Sequence, residues 1–402
     1  MTPFFIHKLD GYTFRPALLL LLITTLWFLP ACDDTPIVGE GLSPDDVKVV
    51  PDTVYLSDIS KVSAPSFSGN RPFVSSGQFE DPLFGNTEAW ALLKPAISRA
   101  DGDTIVENPQ AHLRLNIDNI HGTGTGHFEI VEIDRSWRSS SWRYDSIPDL
   151  SDRVVAEFTV DGPDSLKKVP LQDQAWIDEY RSIFLEEPAS VRDSLYSSRM
   201  SGLAIVASPG TNMIFSAQMQ DTRLVFENPE SDTLHLEKNI SSWAISLDSD
   251  IGPEQDHEHG VALLNTMGSM LKLDFSFTED FLGAEMFSRM ELVLYEDTLA
   301  MQAQGISRPR SETSRLFFLE EEDLDFAIAS DPLRQVNRDE SDHSYRFNIT
   351  NFATDRIYGA PATGHLYVAY GFNDGRILPM LFGDAESSEF RPRILINRVS
   401  QE

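Results

Sequence analysis

The chain has 402 residues with 32 Lys and Arg against 63 Asp and Glu, a formal charge of −31. Such a field repels nucleic acid and anionic lipid head groups, which excludes both as partners bound by charge. The hydrophobic share of 41%, with 25 Phe, is that of a folded protein and excludes a disordered stalk.

The leader comes first. Lys8 and Arg15 precede an almost wholly apolar stretch, residues 17–28, broken only by Thr24 and Thr25. This is the length of a signal-peptide core rather than of a spanning helix. Leu29-Pro30-Ala31-Cys32 then sets a small residue before a cysteine, and this run resembles the lipobox of bacterial lipoproteins. The resemblance implies cleavage before Cys32, acylation of its thiol with palmitate-type chains, and attachment to a membrane of the cell envelope. Cys32 is the chain's one cysteine, so it has no internal disulfide partner. The alternatives are a plain signal peptide with an incidental cysteine and a short uncleaved anchor. Asp33 and Asp34 follow directly, as in some surface-exported outer-membrane lipoproteins.

Residues 32–51 carry Pro36, Pro44 and Pro51 with Glu40, Asp45 and Asp46, and read as an acidic, disordered tether. Beyond it, period-two alternation dominates. Leu113, Leu115 and Ile117 alternate with polar residues, and Val154, Ala156, Phe158 and Val160 are expected on one face of a strand. Further strands are expected at 203–207, 213–219, 223–226, 271–277, 290–294, 345–349, 365–370 and 393–399. One helix is expected at 172–187, where Trp176, Tyr180, Ile183 and Phe184 share a face and Pro188 ends the run.

Three short stretches recur in order: 91–94 in 262–265, 202–207 in 364–369, and 223–226 in 393–396. They point to duplication of one unit, with a boundary in the polar stretch 227–233. The expected fold is therefore all-β: two consecutive antiparallel jelly-roll-like sandwiches with few short helices. The divisions are a signal peptide over 1–31, the tether over 32–51, a first sandwich over 52–230 and a second over 231–402.

The segment RSWRSSSWRYDSIP (135–148), before the strand VVAEFTV (154–160), resembles the DNRLRE-type jelly-roll family of carbohydrate-binding modules. So do the closing strands TRLVF and RPRILI and the run 345–359. The phrase GQFEDPLFG (77–85) is similar to the opening of the folded part in a group of lipoproteins. The resemblance implies carbohydrate binding by the first unit. Trp137, Trp142 and Tyr144 would stack on sugar rings, while Arg138 and Arg143 would reach hydroxyls or carboxylates. The competing reading makes the tryptophans plugs of the core. Residues 299–316 in the second unit hold no aromatic, so binding is expected from the first unit alone.

His257 and His259 flank Glu258 in DHEHG and are candidate metal ligands, although no third or fourth ligand is fixed by spacing. The alternative is a solvated acidic loop. Gly-x-Ser-x-Gly, phosphate-binding and dinucleotide patterns are missing, so neither an enzyme nor a cofactor is expected. The sequence reads as a non-catalytic, envelope-anchored binding or adhesion lipoprotein, with polysaccharide as its ligand. A structural lipoprotein docking an envelope protein is the second reading, and a hydrolase the third.

Overall fold

The computed structural model describes residues 47–401 apart from 57, 65, 252–259, 267, 275–285, 303–305, 307, 321–323, 325–330, 359–364 and 388. Cys32, His257 and His259 lie outside the described residues. The chain is all-β and its strand pairings are antiparallel. In order it runs β1 (Val47–Tyr55), β2 (Asp58–Ser63), β3 (Phe73–Asp81), β4 (Gly85–Pro95), β5 (Gln110–Gly122), β6 (Gly126–Ile133), β7 (Leu150–Val160) and β8 (Asp164–Pro170). Two helices follow, α1 (Gln174–Leu185) and α2 (Ala189–Arg199), then β9 (Leu203–Ala207), β10 (Met213–Gln218), β11 (Arg223–Asn228) and β12 (Ser231–Ser249). The remainder is β13 (Val261–Leu264), β14 (Ser269–Asp274), β15 (Met286–Tyr295), α3 (Thr298–Gln302), β16 (Thr313–Leu319), β17 (Arg334–Asn337), β18 (Ser344–Asn348), α4 (Thr350–Tyr358), β19 (His365–Tyr370), β20 (Pro379–Phe382) and β21 (Arg393–Gln401).

The two halves repeat one pairing scheme. In the first, β11 lies between β12 and β5, β8 flanks β5, and β4 leads through β9 and β6 to β7. In the second, β21 lies between β1 and β15, β18 flanks β15, and β14 leads through β19 and β16 to β17. The pair β3–β10 corresponds to β13–β20. Gly77 and Gly260 mark that correspondence: each sits at positive φ, 138° and 136°, with the backbone of the partner strand against the place a Cβ would take. Only glycine fits such a position. Two of the sequence recurrences, 203–207 with 365–369 and 223–226 with 393–396, fall on equivalent strands. The third does not, because 91–94 belong to β4 and 262–264 to β13, the counterpart of β3.

The leading strands of the two halves are exchanged. β1 and β2 pair with β21 and β14 of the second half, while β12 pairs with β11 and β4 of the first. The expected boundary, 230/231, is therefore the turn into a strand of the first sheet, not a break in the hydrogen bonding. Residues 47–51, expected in the tether, begin β1. That strand lies at a sheet edge, the place in a sheet where a proline such as Pro51 is tolerated. Residues 49–400 form one compact unit. It holds two main apolar cores, one centred on Leu113, Phe128, Phe215 and α1, the other on Leu292, Tyr345, Met380 and Ile394.

The second core also takes residues of the first half. Phe79 and Phe84 flank the β3–β4 turn and are buried in it. At the same turn Asp81, 3% exposed in its side chain, receives Arg308 through Nε at 2.7 Å and Nη2 at 2.6 Å. Leu83 and Phe84 amides also donate to Asp81. The DPLFG phrase is thus a buried latch between segments 227 residues apart.

α1 forms as its pattern requires. Asp173 caps it by accepting from the Ala175 and Trp176 amides. Trp176, Tyr180 and Phe184 stack along the buried face, and Tyr180 stacks on Phe226 of β11. Each contributes roughly 1.5–3 kcal/mol of burial. The helix ends before Pro188, as expected, but α2 begins immediately after it. Only two residues of α2, Arg192 and Tyr196, are buried, too narrow an apolar face to show as a helical period.

β7 departs from the expected alternation. Ile130 pairs with Ala156 and Val131 with Val154, so Val155 is an extra residue in β7. The bulge turns Val154 outward, to 39% exposure, while Val155 and Ala156 are both buried. The Val155 carbonyl then accepts the Gln172 and Asp173 amides, which fixes the start of α1.

Candidate functional site

The aromatic segment 134–149 connects β6 to β7. Its base is closed by the Asp134 amide donating to the Asp149 carbonyl at 2.9 Å. Backbone bonds pin its middle: Ser68 N to Trp142 O at 2.9 Å, Tyr144 N to Ser66 O at 3.2 Å, and Leu247 N to Tyr144 O at 2.7 Å. Gly69 lies so close to the Ser139 carbonyl that a Cβ there would collide with it.

The segment folds this way because the sheet beneath it needs a cover. β4, β6, β9 and β12 turn Leu92, Val131, Ala204 and Ala244 to their outer face, and Trp137 completes that cluster. Trp142 packs against it and meets Trp137 edge-on at 5.9 Å. Burying this face is worth more than exposing the rings, so Trp137 is 8% exposed and Tyr144 5%. Trp142 is half-buried and donates from Nε1 to Ser246 Oγ at 3.0 Å. The Tyr144 hydroxyl donates to Asn373 Oδ1, and burial pushes its pKa up. Trp137 and Tyr144 are therefore buried where the stacking expectation needs them open, and Trp142 keeps part of its surface exposed.

The two arginines differ. Arg143 is tied to Asp145 by Nε at 3.1 Å and Nη2 at 3.0 Å, which neutralises it locally. Arg138 is exposed, and among the described residues no carboxylate lies within 4 Å of it.

A groove opens beside Trp137, with a volume of about 540 Å³. Three regions that the sequence keeps far apart build it: the end of β4 with residues 96–98, Asp193, Tyr196 and Ser197 of α2, and Ser241 and Ser242 of β12. Residues 137–140 form the fourth side. Lys94 stands over the Tyr196 ring with Nζ 5.1 Å from its centroid, and burial pushes the ammonium pKa down. Tyr196 in turn donates to the Pro95 carbonyl, and Ser241 Oγ donates to the Lys94 carbonyl at 3.0 Å. The walls are rich in serine hydroxyls, with Asp193 as their one carboxylate.

Arg138 and Trp137 were legible as site candidates. Lys94, Tyr196 and Ser241 were not, because each is an ordinary residue in its own local pattern and gains meaning only from its neighbours across the groove. Two further charged groups are buried away from it. Glu296 accepts from Tyr345 at 3.0 Å and pairs with Arg310 and Arg338 at 3.3 and 3.4 Å. Asp81 and Arg308 have His121 beside them, its Nε2 3.8 Å from Asp81 Oδ2. Burial pushes the His121 pKa down to about 4, so the imidazole is uncharged at neutral pH and that contact is not an ion pair. Among the described residues no group of three or more His, Cys, Asp or Glu is placed to hold a metal ion. No described helix is long and apolar enough to cross a membrane. No protein-family model and no curated protein matches the chain.

Proposed function

We propose that the protein is a non-catalytic, envelope-anchored lipoprotein, held at the outer membrane through acylated Cys32, that binds polysaccharide in the groove beside Trp137. The groove carries this reading. Its volume lies in the range of small-ligand sites, and its serines supply the hydroxyl donors and acceptors that sugar recognition uses. Open polar contacts of this kind correspond to micromolar to millimolar affinity. Buried Trp137 then shapes the groove wall and does not stack on the sugar.

The test titrates the full chain, extracted in detergent, with a panel of neutral and acidic polysaccharides. Ser140→Trp, at an exposed groove position, fills the site and is expected to abolish binding without lowering the melting temperature. Binding unaffected by Ser140→Trp, or no binding to any member of the panel, overturns the reading. Recovery of one envelope protein at stoichiometric ratio would favour a docking role instead. The anchor is tested separately: Cys32→Ser releases the protein from membranes, and a variant that stays membrane-bound counts against acylation.

A further inference from the structure

The groove's charge can be read further, and this step rests on the polysaccharide reading above. Two cations line it, Lys94 and Arg138. Among the described residues neither has a carboxylate within 4 Å, although the chain carries nearly two acidic residues for each basic one. Other cations of this half, Arg143 with Asp145, Arg153 with Asp173 and Glu132, and Arg192 with Glu187, are paired, while the exposed Arg135 is not, among the described residues. Leaving Lys94 half-buried without a counter-ion has a desolvation cost that a pair would offset. Its aliphatic stem and the Tyr196 ring hold the ammonium in place, so little side-chain freedom remains to be lost on binding. Arg138 adds a planar fork suited to an oxyanion. In a strongly negative molecule, two cations without an ion pair, against the single carboxylate of Asp193 on the same concave surface, make a local positive spot that attracts anions.

We infer that the groove takes an acidic polysaccharide, with a carboxylate or sulfate of the sugar between Lys94 and Arg138 and the sugar hydroxyls on the surrounding serines. Asp193, on the same wall, opposes the anion and sets the affinity lower than the two cations alone would. The lowered pKa of Lys94 agrees with an ammonium that is partly desolvated before any ligand arrives.

The experiment titrates the full chain in detergent with polygalacturonate, dextran sulfate and neutral dextran at matched salt. Binding to at least one acidic polymer and weaker binding to dextran are expected; the two acidic arms tell carboxylate from sulfate. Lys94→Met keeps the stem over Tyr196 and removes the charge, and Arg138→Gln removes the fork. Each is expected to weaken acidic binding by about tenfold or more, as for loss of one charge-assisted hydrogen bond. Asp193→Asn is expected to strengthen it. Arg135→Gln, an exposed cation outside the groove lining, is the control and leaves binding unchanged. Equal losses from Arg135→Gln and Arg138→Gln would mean unspecific attraction and overturn the inference. So would neutral dextran binding as well as the acidic polymers while Lys94→Met and Arg138→Gln have no effect, an outcome that leaves the polysaccharide reading intact. Failure of all three polymers overturns both.

Discussion

Replacing Arg308 by Met leaves the Asp81 carboxylate buried with only two amide donors. The pair is closed to solvent, with side-chain exposures of 1% and 3%. Arg308 makes two short bonds to Asp81, a third to the Met301 carbonyl, and lies 5.6 Å from the Phe84 ring centroid. Breaking such a pair from one side costs about 3–5 kcal/mol, since an uncompensated charge stays behind. Neutralising both sides, Asp81→Asn with Arg308→Met, removes the stranded charge and is expected to come within about 2 kcal/mol of the parent. The double variant is then much more stable than the sum of the single losses predicts. Urea unfolding at pH 7 reads this as a fall in midpoint for each single variant and recovery in the double. The pH dependence carries the same argument. Burial alone would raise the Asp81 pKa; the Arg308 bonds and the Leu83 and Phe84 amides outweigh it and hold the group low. Without Arg308 burial dominates, the folded carboxyl takes up a proton more readily than the unfolded one, and the deficit of Arg308→Met shrinks as pH falls. A single variant costing less than about 1 kcal/mol, or single losses that simply add, would refute the latch.

Three other outcomes follow from the fold. Among the described residues His121 has no hydrogen-bond partner on either ring nitrogen, and its pKa is lowered to about 4, so its contribution is complete above pH 6.5 and is lost as pH falls from 6.5 towards 4. His121→Leu should flatten that part of the stability profile, by up to about 3 kcal/mol at pH 4; an unchanged slope would mean the imidazole is not shielded as described. Trp137→Ala removes the cover of the outer sheet face and should cost about 3–5 kcal/mol, seen as a lower melting temperature, whereas an unchanged melt would show the ring to be dispensable for folding. Fragments 49–230 and 231–400, made separately, lose each other's leading strands and should not fold, while co-expression restores a soluble complex; cooperative unfolding by either fragment alone would argue against the exchange.

Local pattern alone determined the class of the fold and much of its detail. The bounds of β9 and β19, the apolar face of α1 and its stop at Pro188 follow from side-chain period and capping chemistry, which act within a few residues. What needed the tertiary structure were the decisions taken across the chain. Val155 is bulged because of its register with β6, so the face of Val154 could not be counted from its own strand. β12, β1 and β2 carry no mark of the half they join, since an apolar strand pairs by backbone bonds that every sequence offers. Arg138 and Arg143 look alike in sequence, and only the Asp145 contact separates a neutralised cation from an open one. The groove was hidden for the same reason. Lys94, Tyr196 and Ser241 come from a strand end, a helix and an exchanged strand, and their joint charge and shape exist only once those three elements are packed together.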